Sequence, residues 1–293
     1  MKRATICLFG LCLLLASCSQ EDTLNNVNKD GAMRQVSLNV NLPGGMTTRA
    51  GAEKSDPAVT RCYVQVLDKD GNQLPENFST VRKMLQNGDG NSFSLTVTLN
   101  PDEEYDFLFW ADNADANDPT SLTDVAYTTD GKTIAFAGKL ENQGYSQDGI
   151  NAQLTHVVTR ISVESTGNVT IDGNHLLTIS VPECYTAYDV STMQPKGETT
   201  GFSYSGFNGI FSAGDHVGHF YVLGDEEKTA SSTVTLQYSG VLKNPLVELT
   251  NVPLKPNYDI TLKGDIAHSG LVDGDITATV QTDWNSTGVE KEF

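Results

Sequence analysis

Basic residues are scarce in this 293-residue chain: 19 Lys and Arg stand against 37 Asp and Glu, for a formal net charge of −18. A surface of that sign repels phosphate backbones and argues against a nucleic-acid partner. Cysteine is scarce too, and Cys7, Cys12 and Cys18 all fall at the extreme N-terminus. No CxxC pair or Cys/His cluster has the spacing of a thiolate metal site. Cys62 and Cys184 lie far apart and read as two buried free thiols. Apolar runs stop short of the roughly 20 residues that a membrane-spanning helix needs. Helical periodicity is nearly absent, which argues against a bundle or coiled coil. No GxSxG, HExxH, P-loop or GxGxxG pattern occurs, and among so many carboxylates no spacing singles out a glycosidase pair. The chain therefore reads as a non-enzyme without cofactor or metal. Its hydrophobic content of 38% is enough to build cores, and the length suits about two domains.

What is present begins with an address. In residues 1–17, Lys2 and Arg3 precede an apolar run from Ile6 to Leu15, as in a signal peptide. Leu15-Ala16-Ser17-Cys18 resembles the lipobox of bacterial lipoproteins, which implies a diacylglycerol anchor, palmitate included, on the Cys18 thiol. Ser19-Gln20-Glu21-Asp22 resembles the surface-export signal of some diderm bacteria. The remainder of 18–32 is polar and aperiodic, as a tether would be. These features together predict a lipid-anchored protein on the outer face of the outer membrane.

The body alternates with a period of two. Val36, Leu38, Val40 and Leu42 alternate with Ser37, Asn39 and Asn41, and Phe93, Leu95, Val97 and Leu99 alternate with serine and threonine. Cys62, Val64 and Val66 follow the same rule, and Tyr105 to Trp110 is dense enough for a strand covered on both faces. Further strands are predicted at 152–164, 176–181, 218–223, 232–238, 258–262 and 276–282, separated by Gly- and Asn-rich turns. The one helical candidate is Phe78 to Gln86. Many short strands predict an all-β chain of two tandem β-sandwich domains. With a turn-rich interval at Glu141–Gly149 as the boundary, they cover 33–147 and 148–293.

Three patterns, in order, resemble the fimbrillin-like proteins, the FimA-type pilins of type V pili, in a branch without assigned function. They are Glu104 to Asp112 (EYDFLFWAD), Leu154 to Ile161 (LTHVVTRI) and Val280 to Asn285 (VQTDWN). The resemblance implies β-sandwiches of transthyretin-like topology, and a role as a pilus subunit or pilus-associated adhesin. Such subunits are cut after an arginine by a surface protease, which removes the first strand and opens a groove for a strand of another subunit. Carried onto this chain, the removable strand holds Val36, Leu38, Val40 and Leu42, and the cut falls between Arg49 and Ala50 in a Gly- and Thr-rich segment. The alternative for Arg49 is an ordinary solvated hairpin loop. The donor would carry Ile276, Ala278 and Val280, whose alternative is a plain closing strand of the second sandwich. The implied partners are other pilin subunits, the outer membrane through the lipid anchor, and host or microbial surface ligands.

Three further features have competing readings. Trp110 and Trp284 suit either core packing or a glycan platform on a monomeric surface lipoprotein. Asp112, Asp115 and Asp118 read as a solvated acidic loop, with calcium as the other possibility, although the EF-hand order is missing. His216 and His219 are expected on opposite faces of a strand, which argues against a shared metal.

Overall fold

The computed structural model describes residues 33–43, 56–72, 74, 80–88, 91–226, 233–239, 246–267 and 276–282. Every regular element among them is a strand, so the chain is all-β. In chain order these are β1 (Arg34–Asn41), β2 (Arg61–Asp68), β3 (Arg82–Lys83), β4 (Leu85–Gln86), β5 (Ser92–Leu99), β6 (Tyr105–Asp112), β7 (Val125–Ala126), β8 (Ala135–Gln143), β9 (Ile150–Gln153) and β10 (Thr155–His156). There follow β11 (Val158–Ser165), β12 (Val169–Ile171), β13 (Leu177–Asp189), β14 (Gln194–Tyr204), β15 (Gly209–Phe211), β16 (His216–Leu223), β17 (Val234–Tyr238), β18 (Leu246–Leu249), β19 (Asp259–Gly264) and β20 (Ile276–Gln281).

The alternation that predicts the strands also sorts them into two cores. Sheets β4-β5-β1-β9 and β10-β8-β6-β2-β3 enclose a first core with Leu38, Val40, Phe93, Phe107 and Phe136 at its centre. Sheets β16-β11-β19-β20 and β14-β13-β17-β18 enclose a second, built on Ile161, Ile179, Phe220, Leu236 and Ile260, with β12-β15 as a small separate ribbon. Both are β-sandwiches. β9 and β10 pair into the first sandwich, with β1 and β8 respectively; Val157 and Val158 still pack in the first core, and Ile161 is the first residue of the second.

β6 is buried along its whole length. Phe107 and Phe109 stack at 6.3 Å on one face, while Trp110 on the other meets the Tyr188 ring of the second sandwich at 5.5 Å. From the excursion at 113–134, the Leu122 amide donates to Gln65 Oε1 on β2 at 2.7 Å. The same excursion carries β7, which pairs antiparallel with β13 of the second sandwich.

The predicted helix at Phe78–Gln86 is not formed in the described part of that segment. Residues 82–86 are extended: β3 pairs with β2 and β4 with β5, one in each sheet of the first sandwich. Met84 between them is buried, and its amide donates to the Cys62 carbonyl at 2.8 Å. A chain crossing from sheet to sheet needs one inward side chain between two short pairings, and that spacing imitated a helical turn. Cys62 and Cys184 are both buried, and no disulfide joins them, as expected.

A buried ionic cluster ties the lead-in to β2 onto the second sandwich. Arg160 on β11 donates to Asp56 at 2.7 Å and to Asp259 on β19 at 2.6 Å, and the Tyr221 hydroxyl also donates to Asp56 at 2.7 Å. Burial alone would lower the Arg160 pKa, but the two carboxylates more than offset it and hold it above the ordinary arginine value. Burial and the neighbouring Asp56 push the Tyr221 phenol upward. Removing the cation would strand two carboxylates in a low-dielectric site. Arg160→Met is therefore expected to cost about 3–5 kcal/mol in urea denaturation. Lys139→Met, at a pair with a well-exposed Glu141, should change stability by less than about 1 kcal/mol.

Candidate functional site

β1 is the first strand of its sandwich and lies in the interior of its sheet. It runs antiparallel to β5, from Arg34 opposite Leu99 to Asn41 opposite Ser92, and parallel to β9, from Leu38 opposite Ile150 to Asn41 opposite Gln153. Val36, Leu38, Val40 and Leu42 all point into the core and are at most 4% exposed. The other face is polar: Asn39 Nδ2 donates to Asn151 Oδ1 at 3.2 Å. At the exposed start of the strand, Arg34 lies 5.5 Å over the Tyr145 ring. Beyond the strand, the Leu42 amide donates to the Asn91 carbonyl at 2.9 Å, and the Leu154 amide donates to that of Asn41 at 3.0 Å.

Gly149 makes the parallel pairing possible. Its φ is +84°, and a Cβ there would stand 2.8 Å from the Ser37 carbonyl. Only glycine allows the turn before β9 to approach β1 so closely.

Taking β1 away would leave β5 and β9 as facing edges, separated by about two strand spacings, or roughly 10 Å. The four inward side chains bring on the order of 10 kcal/mol of burial, which matches the whole net stability of a typical domain. An opened slot of this kind exposes apolar floor and unpaired backbone together, and must be refilled for the sandwich to persist.

β20 has the complementary character. It pairs with β19 on one side and forms the outer edge of its sheet. Ala278 and Val280 are 2% and 3% exposed, and Ile276 packs partly buried on the second core. Its inward residues repeat every second position, as in β1. Cys18, Arg49, Ala50 and Trp284 lie outside the described residues.

In the acidic loop Asp115 and Asp118 are exposed, as expected of a solvated loop, and Asp112 departs from that expectation. Asp112 is buried, and its carboxylate accepts from Arg61 Nε and, at 3.1 Å, Arg61 Nη2. It also accepts from Trp110 Nε1 at 2.6 Å and from the Ala114 amide at 3.1 Å. Arg61 Nη1 donates to the Ala116 carbonyl at 2.6 Å, and the Tyr63 hydroxyl donates to Asp118 at 2.5 Å. Desolvation and that carboxylate raise the Tyr63 phenol well above its usual range. The loop is thus held by an arginine clamp on Asp112, whose carboxylate accepts from four donors. Arg61 opposes Asp112 in the β2–β6 register, so pairing the two strands on paper would have found it.

Trp110 is wholly buried, as core packing predicts. The two histidines depart from expectation: His216 Nε2 and His219 Nδ1 approach to 3.3 Å.

Residues 28–148, which take in β1 to β8, match the model of a family of unknown function (DUF6562). No curated protein matches the chain. A candidate cell adhesion protein from Bacteroides uniformis superposes with a TM-score of 0.53 at 16% identity, over 86% of this chain and 99% of its own. A fimbrial assembly protein from Parabacteroides distasonis gives 0.50 at 14% identity, over 89% of this chain and 100% of its own. A candidate cell adhesion protein from the same species gives 0.52 at 12%, over 84% and 96%. The chain shares its fold with these fimbrial and adhesion proteins of the Bacteroides group.

The alternation of β1 has a direct consequence for stability. Leu38→Ala should cost about 2–5 kcal/mol through the cavity it leaves. Ser37→Ala, on the exposed face, should stay within about 0.5 kcal/mol. Denaturant melts of the two variants check the contrast.

Proposed function

We propose that this chain is a surface-anchored, fimbrillin-like pilus subunit or pilus-associated adhesin, assembled by protease-triggered strand exchange. Cys18 carries the lipid that holds it at the outer membrane. A cut between Arg49 and Ala50 frees β1 together with the Cys18 anchor, and a strand from another subunit takes the slot. The observation that carries this reading is the position of β1: inside its sheet, with an antiparallel and a parallel neighbour, and with an apolar face that the core needs. The fold shared with fimbrial proteins supports it. The function lies in backbone pairing and side-chain pockets and requires no catalytic group.

β20 is the proposed donor. An edge strand with one neighbour gives up fewer main-chain bonds on leaving than an interior strand would. Ile276, Ala278 and Val280 have the spacing of Val36, Leu38 and Val40 and would address alternate pockets of the slot. The glycan-binding alternative draws no support from Trp110, which is buried. Among the described residues, the exposed large hydrophobics are Met33, Leu85, Leu176, Ile210 and Leu246, none of them aromatic.

Brief trypsin treatment of the mature chain tests the proposal. We expect an early cut that yields Ala50 as the new N-terminus, followed by a ladder of oligomers. Arg49→Ala should remain monomeric under the same treatment. A chain cut at Arg49 that stays monomeric, or one resistant there, would overturn strand exchange. Independently, Cys18→Ala should release the protein from membranes, and continued membrane association would refute the anchor.

A further inference from the structure

The paired histidines owe their meeting to an irregularity in β16. Between β11 and β16 the register runs from Val158 opposite Leu223 to Val163 opposite Gly218, then jumps to Glu164 opposite His216. The skipped residue, Val217, turns into the second core together with Phe220, three positions on. Such an insertion is a β-bulge, and it puts residues three apart on the same face. His216 and His219 therefore emerge side by side, with ring centroids 5.5 Å apart and planes inclined by 26°.

The bulge is built into the surroundings. Gly218 has φ of +155°, and a Cβ there would fall 2.8 Å from Phe207 Cδ1. The preceding turn is stitched to the end of β11: the Gly214 amide donates to the Ser165 carbonyl at 2.6 Å, and the Ser165 amide to that of Asp215 at 3.0 Å. The Asp215 carboxylate is engaged by the Ser212 amide at 2.6 Å. On its other side His219 meets the edge of the Tyr221 ring at 5.3 Å. Both imidazoles line an open cleft of about 520 Å³, together with Tyr204, Phe207, Phe211 and Asp215.

The separation of the two ring nitrogens is the informative quantity. Two imidazoles on one zinc ion, each at 2.0–2.1 Å and subtending a tetrahedral angle, hold their nitrogens about 3.3 Å apart. His216 Nε2 and His219 Nδ1 stand at that same 3.3 Å, hydrogen-bonded to each other, so a metal ion would take the place of the proton they share. We propose that they are two ligands of a divalent transition-metal site at the wall of this cleft. Imidazole donors select copper, zinc or nickel over calcium and magnesium, and copper(II) should bind more tightly than zinc(II). Among the described residues no group of three or more His, Cys, Asp or Glu side chains converges on one ion. The site therefore has two protein ligands among the described residues, and its other positions, open to water or to a donor from a partner, face the cleft.

Titration calorimetry of the untagged mature chain with zinc chloride, and separately with copper chloride, tests the site. We expect one saturable equivalent. It should weaken by more than about tenfold in both His216→Ala and His219→Ala, since losing even an outer partner of a metal ligand costs about that much. His175→Ala should leave it unchanged, because that ring pairs with Asp172 elsewhere. Should a variant fail to fold, the native chain still gives the answer: zinc must shift the imidazole resonances of His216 and His219 ahead of other histidines. No saturable binding to the native chain, or equal binding by wild type and both folded alanine variants, would overturn the site.

Discussion

The structure depends above all on how each sandwich is closed. Its first strand sits inside a sheet, between an antiparallel neighbour and a parallel one that returns roughly a hundred residues later. β1 meets β9 in this way and β11 meets β19, so the two halves of the chain repeat one solution. Each first strand thus gains its second neighbour only near the end of its sandwich. The inward side chains of β1 then become the keystone of the first core, and whatever occupies that slot decides whether the core exists. The same geometry makes the slot both specific and dangerous to leave empty: backbone pairing on two sides, pockets at alternate positions and an apolar floor between them.

Much of this was legible in the sequence, for reasons that also explain the gaps. β1, β2, β5 and β6 are half-buried or fully buried strands, and their period of two or their aromatic density announces them. β8 (AFAGKLENQ) and β14 (QPKGETTGFSY) give no such signal. β8 begins in the core and runs out toward solvent, and β14 is an edge strand. Neither has to alternate along its length. Parallel pairing of β1 with β9 was also invisible, because nothing local in Ile150–Gln153 names its partner. Gly149 is the only nearby trace of that closeness.

The errors are equally instructive. Phe78–Gln86 imitated a helix because one inward Met84 separates two dipeptide pairings in different sheets. Asp112 reads as solvated along with Asp115 and Asp118 because its arginine lies some fifty positions upstream and is brought over only by the β2–β6 register. The histidines were assigned to opposite faces by a rule that holds for regular strands, and a single extra residue reverses it. In each case the sequence carries the residues but not the pairing that gives them their meaning. The candidate slot was readable since its logic is local, whereas the histidine pair was not.

The contact between β7 and β13 has a mechanical consequence. Val125 and Ala126 belong to an excursion from the first sandwich, yet they extend a sheet of the second, and the Tyr127 amide adds a bond to the Thr186 carbonyl at 2.8 Å. Nearby, Lys196 Nζ reaches back to the Thr123 carbonyl at 2.5 Å, and the Val190 amide to that of Leu122 at 2.9 Å. Hydrogen bonds of this kind are directional and short-ranged, so they resist sliding far more than oily contact does. A pull that entered through one sandwich and left through the other would load these bonds and the Arg160 cluster together. The pair would yield as one stiff link rather than as two beads on a string.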